Sequence, residues 1–144
     1  MERRSFFKSL LALTGLAAAG AAHAATPAKQ KVVYHLSDKE KVKFVLGNIQ
    51  NHIAGMGGPE YVEIVLVVHG PALEEFHAVA ADPAFKQTVA NLAAEGVGLT
   101  ACSNTMKAQK VDIKGLVPGF VPAKRGGVVR IAQLQSQGYI YIRP

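Results

Sequence analysis

Tyr61-Val-Glu-Ile-Val-Leu-Val-Val68 is nearly unbroken in apolar, mostly β-branched residues, and His69-Gly70-Pro71 ends it. A strand without polar alternation is one covered on both faces, which places it centrally in a parallel sheet. Upstream, Lys31-Val-Val-Tyr-His-Leu36 is a second β-prone run. The Ser37-Asp-Lys-Glu40 that follows has the spacing of a capping box. Val42, Val45, Leu46, Ile49 and Ile53 then recur at helical spacing until Gly55-Met-Gly-Gly-Pro59 stops the helix. Downstream, the reading is a short helix from about Ala72 to Ala80, then a helix capped by Asp82-Pro83 that carries Phe85, Val89 and Leu92 and closes at Gly96.

Val97-Gly-Leu-Thr-Ala101 is the third strand, and Cys102-Ser103-Asn104-Thr105 opens a short helix to about Gln109. The Pro- and Gly-rich stretch from Asp112 to Pro122 leaves room for a short strand at Phe120-Val121. A helix marked by Val128, Ile131 and Ala132 follows, ending at Gly138, and Tyr139-Ile-Tyr-Ile-Arg143 is the last strand. The order βαβααβαβαβ predicts an α/β/α sandwich around a mainly parallel five-stranded sheet. At 144 residues and 49% apolar, the chain fits one packed domain.

The N-terminus reads as a targeting segment over residues 1–24. It has a basic start, an apolar stretch from Leu10 to Ala22, and a small-x-small site at Ala22-His23-Ala24, which predicts cleavage after Ala24. The apolar stretch is short of the roughly 20 residues that span a bilayer, so no permanent membrane anchor is expected. Arg3-Arg4-Ser5-Phe6-Phe7-Lys8 has the pattern of a twin-arginine signal; a general secretory signal with two arginines is the alternative. Either route leads out of the cytoplasm, so a periplasmic location is expected. Residues 25–30 read as a flexible tail and 31–144 as the domain.

Removing residues 1–24 takes three cations and Glu2 with it and lowers the formal charge from +6 to +4. The remaining lysines are interspersed with acids, as in Asp38-Lys39-Glu40-Lys41, so nucleic acid is not an expected partner.

In an open parallel sheet the ligand crevice lies at the carboxyl ends of the strands. His35 ends the first strand, His69 follows the second and Cys102 the third, so topology gathers two imidazoles and a thiol on one edge. Cys102 is the only cysteine, which excludes an intramolecular disulfide. A thiol at the first turn of a helix meets unpaired N–H donors that favour the thiolate. Ser103, Asn104 and Thr105 can add donors or simply cap the helix, and Cys102 can equally be a small buried hydrophobe. His35 and His69 either satisfy loop carbonyls or, with Cys102, form a Cys/His₂ set for zinc or copper, although no close ligand spacing supports a metal. Lys124-Arg125-Gly126-Gly127 offers an anion a helix N-terminus, or its glycines allow close packing. His52 and His77 fall on solvated or half-buried surface, with no chemistry assigned.

Tyr34-His35-Leu36-Ser37, Val67-Val68-His69-Gly70-Pro71, Ala101-Cys102-Ser103-Asn104-Thr105-Met106 and Leu134-Gln-Ser-Gln-Gly-Tyr139-Ile-Tyr-Ile-Arg-Pro144 together resemble the DsrE/DsrF-like sulfur-relay proteins. The resemblance implies a three-layer fold with a five-stranded parallel sheet, assembly as homo-oligomers, and partner proteins that donate and accept sulfur. At the matching position it implies that Cys102 carries a persulfide, with no cofactor required. The family pattern has Gly where Ser103 stands. The alternative is a non-catalytic oligomeric binding module holding a metal ion or small ligand at the strand-edge crevice.

Overall fold

The structure, a computed structural model, describes residues 28–144. The leader and residues 25–27 of the tail read from the sequence therefore lie outside the described residues. Five strands, β1 (Gln30–Leu36), β2 (Val62–Val68), β3 (Gly98–Cys102), β4 (Phe120–Ala123) and β5 (Ile140–Ile142), form one sheet in the order β4-β3-β2-β1-β5. Every pairing is parallel. The unbroken apolar run is the middle strand, as its composition requires, and both of its faces are covered.

Four helices connect the strands: α1 (Val42–Met56), α2 (Pro83–Ala94), α3 (Ser103–Ala108) and α4 (Gly127–Ser136). The even-numbered side chains of β1 and β2 pack with α1, α2 and the 3₁₀ segment Gly70–Phe76 into a core that includes Val32, Leu66, Ile49, Phe76 and Leu92. Alternation turns Val33, Val65 and Val67 to the opposite face, where α4 covers them with Ile131 and Leu134. The result is three layers, with α4 alone in the third. No helix of the described residues is long and apolar enough to cross a membrane.

Local chemistry set several of these boundaries. Asp82 accepts from the Phe85 N–H at 2.7 Å, and Pro83 opens α2 behind it. α1 ends at Gly57, whose φ of +95° is open to glycine at little cost. Gly57 and Gly58 return hydrogen bonds to Ala54 and Ile53.

Three expectations are corrected. The Ser37–Glu40 capping box does not form: the Ser37 hydroxyl accepts from Arg143 at 2.9 Å, and a 3₁₀ turn, Lys39–Lys41, precedes α1. The helix expected from Ala72 to Ala80 is the 3₁₀ segment Gly70–Phe76 instead. The chain beyond it gives its hydrogen bonds to a distant loop, with Ala78 N–H on the Gly115 carbonyl and Val117 N–H on the Phe76 carbonyl, each at 2.8 Å. Gln30, expected in the tail, is the first residue of β1, and its N–H bonds the Tyr61 carbonyl at 3.0 Å.

Candidate functional site

Because β1, β2 and β3 run parallel, their carboxyl ends lie on one edge of the sheet. His35 pairs with Val67 and Val68 with Ala101, so His69 and Cys102 come one step beyond the last pair between β2 and β3. The two-residue alternation then turns His35, His69 and Cys102 to the same face, that of α4. The three candidates thus share an edge and a face, but they fall into two groups.

The first group surrounds the thiol. Cys102 is the last residue of β3 and the residue before α3, and it is only 6% exposed. Burial pushes its pKa up, but this is outweighed by the N–H groups of Thr105 and Gly127, the Thr105 hydroxyl and the Asn104 N–H, so the net shift is downward. Donors aimed at a sulfur favour its anion. The Thr105 hydroxyl accepts from the Gly70 N–H at 2.9 Å, which leaves its own proton free for the sulfur. Gly70 is held in turn: Gln109 Nε2 donates to its carbonyl at 3.0 Å, and Gln109 Oε1 accepts from His77 Nε2 at 2.9 Å.

Gly127 reaches the sulfur from the other side. A Cβ at this position would lie 3.2 Å from Cys102 Cβ, 3.4 Å from His69 Cβ and 3.5 Å from Val67 Cγ1. Only the missing side chain lets the start of α4 sit this close to the ends of β2 and β3. Gly126, at φ +104°, turns the chain into that position.

The second group is aromatic. His35 Nε2 and His69 Nε2 are 2.5 Å apart with their rings stacked, and His35 Nδ1 lies 2.6 Å from the Tyr141 hydroxyl. One Nε2 donates and the other accepts, so the pair cannot be fully protonated without breaking that bond. Burial pushes the His35 pKa down to about 4, helped by His69 and Arg143 and opposed by Asp38. His69 is also lowered, by burial and then by Arg143, against Asp38.

Neither imidazole is among the groups that act on the Cys102 sulfur. Among the described residues, no group of three or more His, Cys, Asp or Glu side chains is placed to hold a metal ion, so His35, His69 and Cys102 do not assemble as a ligand set. Ser103 is half-buried at the start of α3. Asn104 is exposed and serves the sulfur through its backbone N–H. His52 bonds the Tyr34 hydroxyl at 2.9 Å.

The residues that sequence reading passed over are Gly70, Gln109, Tyr141 and the specific role of Gly127. For Gly127 a signal existed in the Gly126-Gly127 pair at a helix start. For Tyr141 it lay in the alternation of the last strand, which turns Tyr141 to the face of His35.

The family model for the DsrE/DsrF-like family matches residues 8–144. Among solved structures, MTH1491, a protein of unknown function from Methanobacterium thermoautotrophicum, superposes with a TM-score of 0.70 at 29% identity, covering 81% of this chain and 100% of its own. The ychN protein of E. coli shares the fold, with a TM-score of 0.62 at 16% identity over 80% of this chain and 99% of its own. No curated protein matches. The ordered motifs, the all-parallel five-stranded sheet and the match over nearly the whole length agree, and the chain belongs to the DsrE/DsrF-like family.

Proposed function

We propose that the protein is a sulfur carrier in which Cys102 accepts a sulfane sulfur from one partner protein and passes it to another. The observation that carries this reading is the ring of donors around one thiol: three N–H groups and a hydroxyl that together outweigh the effect of burial. That arrangement favours the nucleophilic thiolate of a nearly buried sulfur. Family membership supports it, since sulfur relay between partner proteins is the work of this family.

In the loading step the Cys102 thiolate attacks the outer sulfur of a donor persulfide, R–S–SH. The new Cys102 S–S bond forms as the donor S–S bond breaks, and R–S⁻ leaves with the electron pair. The proton stays on the transferred sulfur. Delivery runs the same exchange toward an acceptor thiolate, so one cysteine suffices and no external oxidant enters.

Incubation of the protein with a persulfidated rhodanese should add one sulfur by intact mass, removable by reductant, and Cys102→Ser should abolish the addition. Absence of uptake from any persulfide donor overturns the reading. The reading includes export to the periplasm and homo-oligomeric assembly. Changing both Arg3 and Arg4 to Lys should retain the protein in the cytoplasm, and sedimentation of the cleaved protein should show a species larger than a monomer.

A further inference from the structure

Beside Cys102, on the same face of the sheet, lies an open cavity of about 380 Å³ whose walls include Thr100, Ala123, Lys124, Arg125, Arg130 and Gln133. Thr100 precedes Cys102 by two residues on β3, Ala123 is Cys102's register partner on β4, and Gly126 at the cavity rim adjoins Gly127. The cavity therefore adjoins the strand end that bears Cys102. Lys124, Arg125 and Arg130 make no ion pair among the described residues; the ion pairs there involve Lys39, Lys41 and Arg143. A second, independent feature is Thr100. It is 3% exposed and, among the described residues, the one polar residue in the buried set. Among the described residues its hydroxyl makes no side-chain hydrogen bond, and no buried side-chain nitrogen or oxygen there lacks a partner. Thr100 is one of the residues that line the cavity.

A threonine hydroxyl with no side-chain hydrogen bond among the described residues, in a wall that also carries three cations without ion pairs there at the start of a ten-residue helix, makes a set of donors awaiting acceptors. The volume falls at the lower end of the roughly 300–1,000 Å³ typical of sites for small organic molecules. Exposed Val121 and Pro122 add an apolar wall. We infer that this cavity binds the carboxylate-bearing body of a low-molecular-weight thiol persulfide of about tripeptide size, with Lys124 and Arg130 on its carboxylates and Thr100 donating a hydrogen bond. This rests on the sulfur-carrier reading and names its small-molecule donor class. Such a ligand presents its outer sulfur to Cys102. The thiolate attacks that sulfur, the Cys102 S–S bond forms, and the small thiolate leaves with the electrons of the broken S–S bond.

Binding and transfer are tested separately. On the Cys102→Ser protein, S-methylglutathione, which holds the carboxylates but no transferable sulfur, should bind by calorimetry with an affinity that falls as salt rises. Lys124→Gln with Arg130→Gln should weaken it by about tenfold or more, the equivalent of one lost charge-assisted hydrogen bond. Thr100→Val should weaken it by a smaller factor, with the thermal midpoint of each variant confirming the fold. In transfer, glutathione persulfide should load wild-type Cys102 faster than the persulfide of uncharged 2-mercaptoethanol, and the double variant should erase that difference. No binding at millimolar S-methylglutathione, or binding that ignores the double variant, overturns the inference. Equal loading by charged and uncharged persulfides does so too, and loading by thiosulfate as fast as by glutathione persulfide overturns the carboxylate assignment. If persulfidated rhodanese loads the wild type while S-methylglutathione does not bind, the sulfur-carrier reading stands and the small-molecule donor falls. If neither rhodanese nor any persulfide loads Cys102, the carrier reading falls and takes the donor assignment with it.

Discussion

On one face of the sheet, α1, α2 and the segment Gly70–Phe76 bury a continuous apolar core that runs from Val32 on β1 to Phe120 on β4. On the other face little more than Ile131 and Leu134 of α4, with Tyr139 beyond its end, covers Val33, Val65 and Val67, and Cys102, His35, His69 and Thr100 all lie on this side. The first face is packed to hold the fold. The second is left thin enough for polar chemistry to reach the strand ends. Stability and reactivity are thereby separated by the alternation of side chains along the same five strands.

The sharpest way to test that division is to damage the thick face. Ile49 is fully buried on α1, and Ile49→Ala should cost about 2–5 kcal/mol in urea denaturation. The alkylation midpoint of Cys102 in the folded protein should not move. A shifted midpoint would mean that the two faces are coupled.

The next effect belongs to the thin face. Thr105→Val removes the hydroxyl from the sulfur and strands the Gly70 N–H. The Cys102 alkylation midpoint should rise, and reactivity at neutral pH should fall by roughly tenfold, the scale of one hydrogen bond to a charged group. Thr105→Ser should restore it, whereas a purely structural Thr105 would be rescued better by Val than by Ser.

Gly127→Ala is subtler. Its new methyl must displace Cys102 Cβ or His69 Cβ by a few tenths of an ångström. The overpacking penalty, about 1 kcal/mol at the low end, is partly offset by the better helix propensity of Ala. Stability should therefore change little while the thiol midpoint rises, because the start of α4 has moved away.

The smallest effect is a slope with pH. His35 and His69 both have lowered pKa values in the folded state, His35 to about 4. Between about 6.5, the ordinary histidine value, and that point the unfolded chain binds more protons than the folded one. Their contribution is therefore complete above about pH 6.5 and is lost progressively as pH falls toward 4. Denaturation midpoints should fall across that window, and the fall should be shallower in His35→Gln. An unchanged slope would remove the imidazole pair from the account.

What the sequence made legible follows from how local each cause is. The β2 run, the Asp82 cap and the glycine stop after α1 depend on neighbours within a few residues, and all three appear where the residues place them. Parallel topology carried the strand-end reading further, because it brings His35, His69 and Cys102 to one edge whatever the loops between them do. The failures were long-range. Ser37 lost its capping role to Arg143, more than a hundred residues away in the chain. The expected helix after Pro71 gave way to hydrogen bonds with the Gly115–Val117 loop. Gly127 could be read as a packing glycine, but not as the one that touches Cys102, since that contact exists only after the sheet is assembled.

Pro122 lies in β4, an outer strand of four residues, and β5 at the other margin has only three. A sheet margin is a row of free backbone groups on which another chain can crystallise into a growing ribbon. Proline deletes one donor from one margin, and the brevity of β5 limits the other to a single turn's worth of pairing. Among the described residues neither margin therefore offers a long template on which a second chain could extend the sheet.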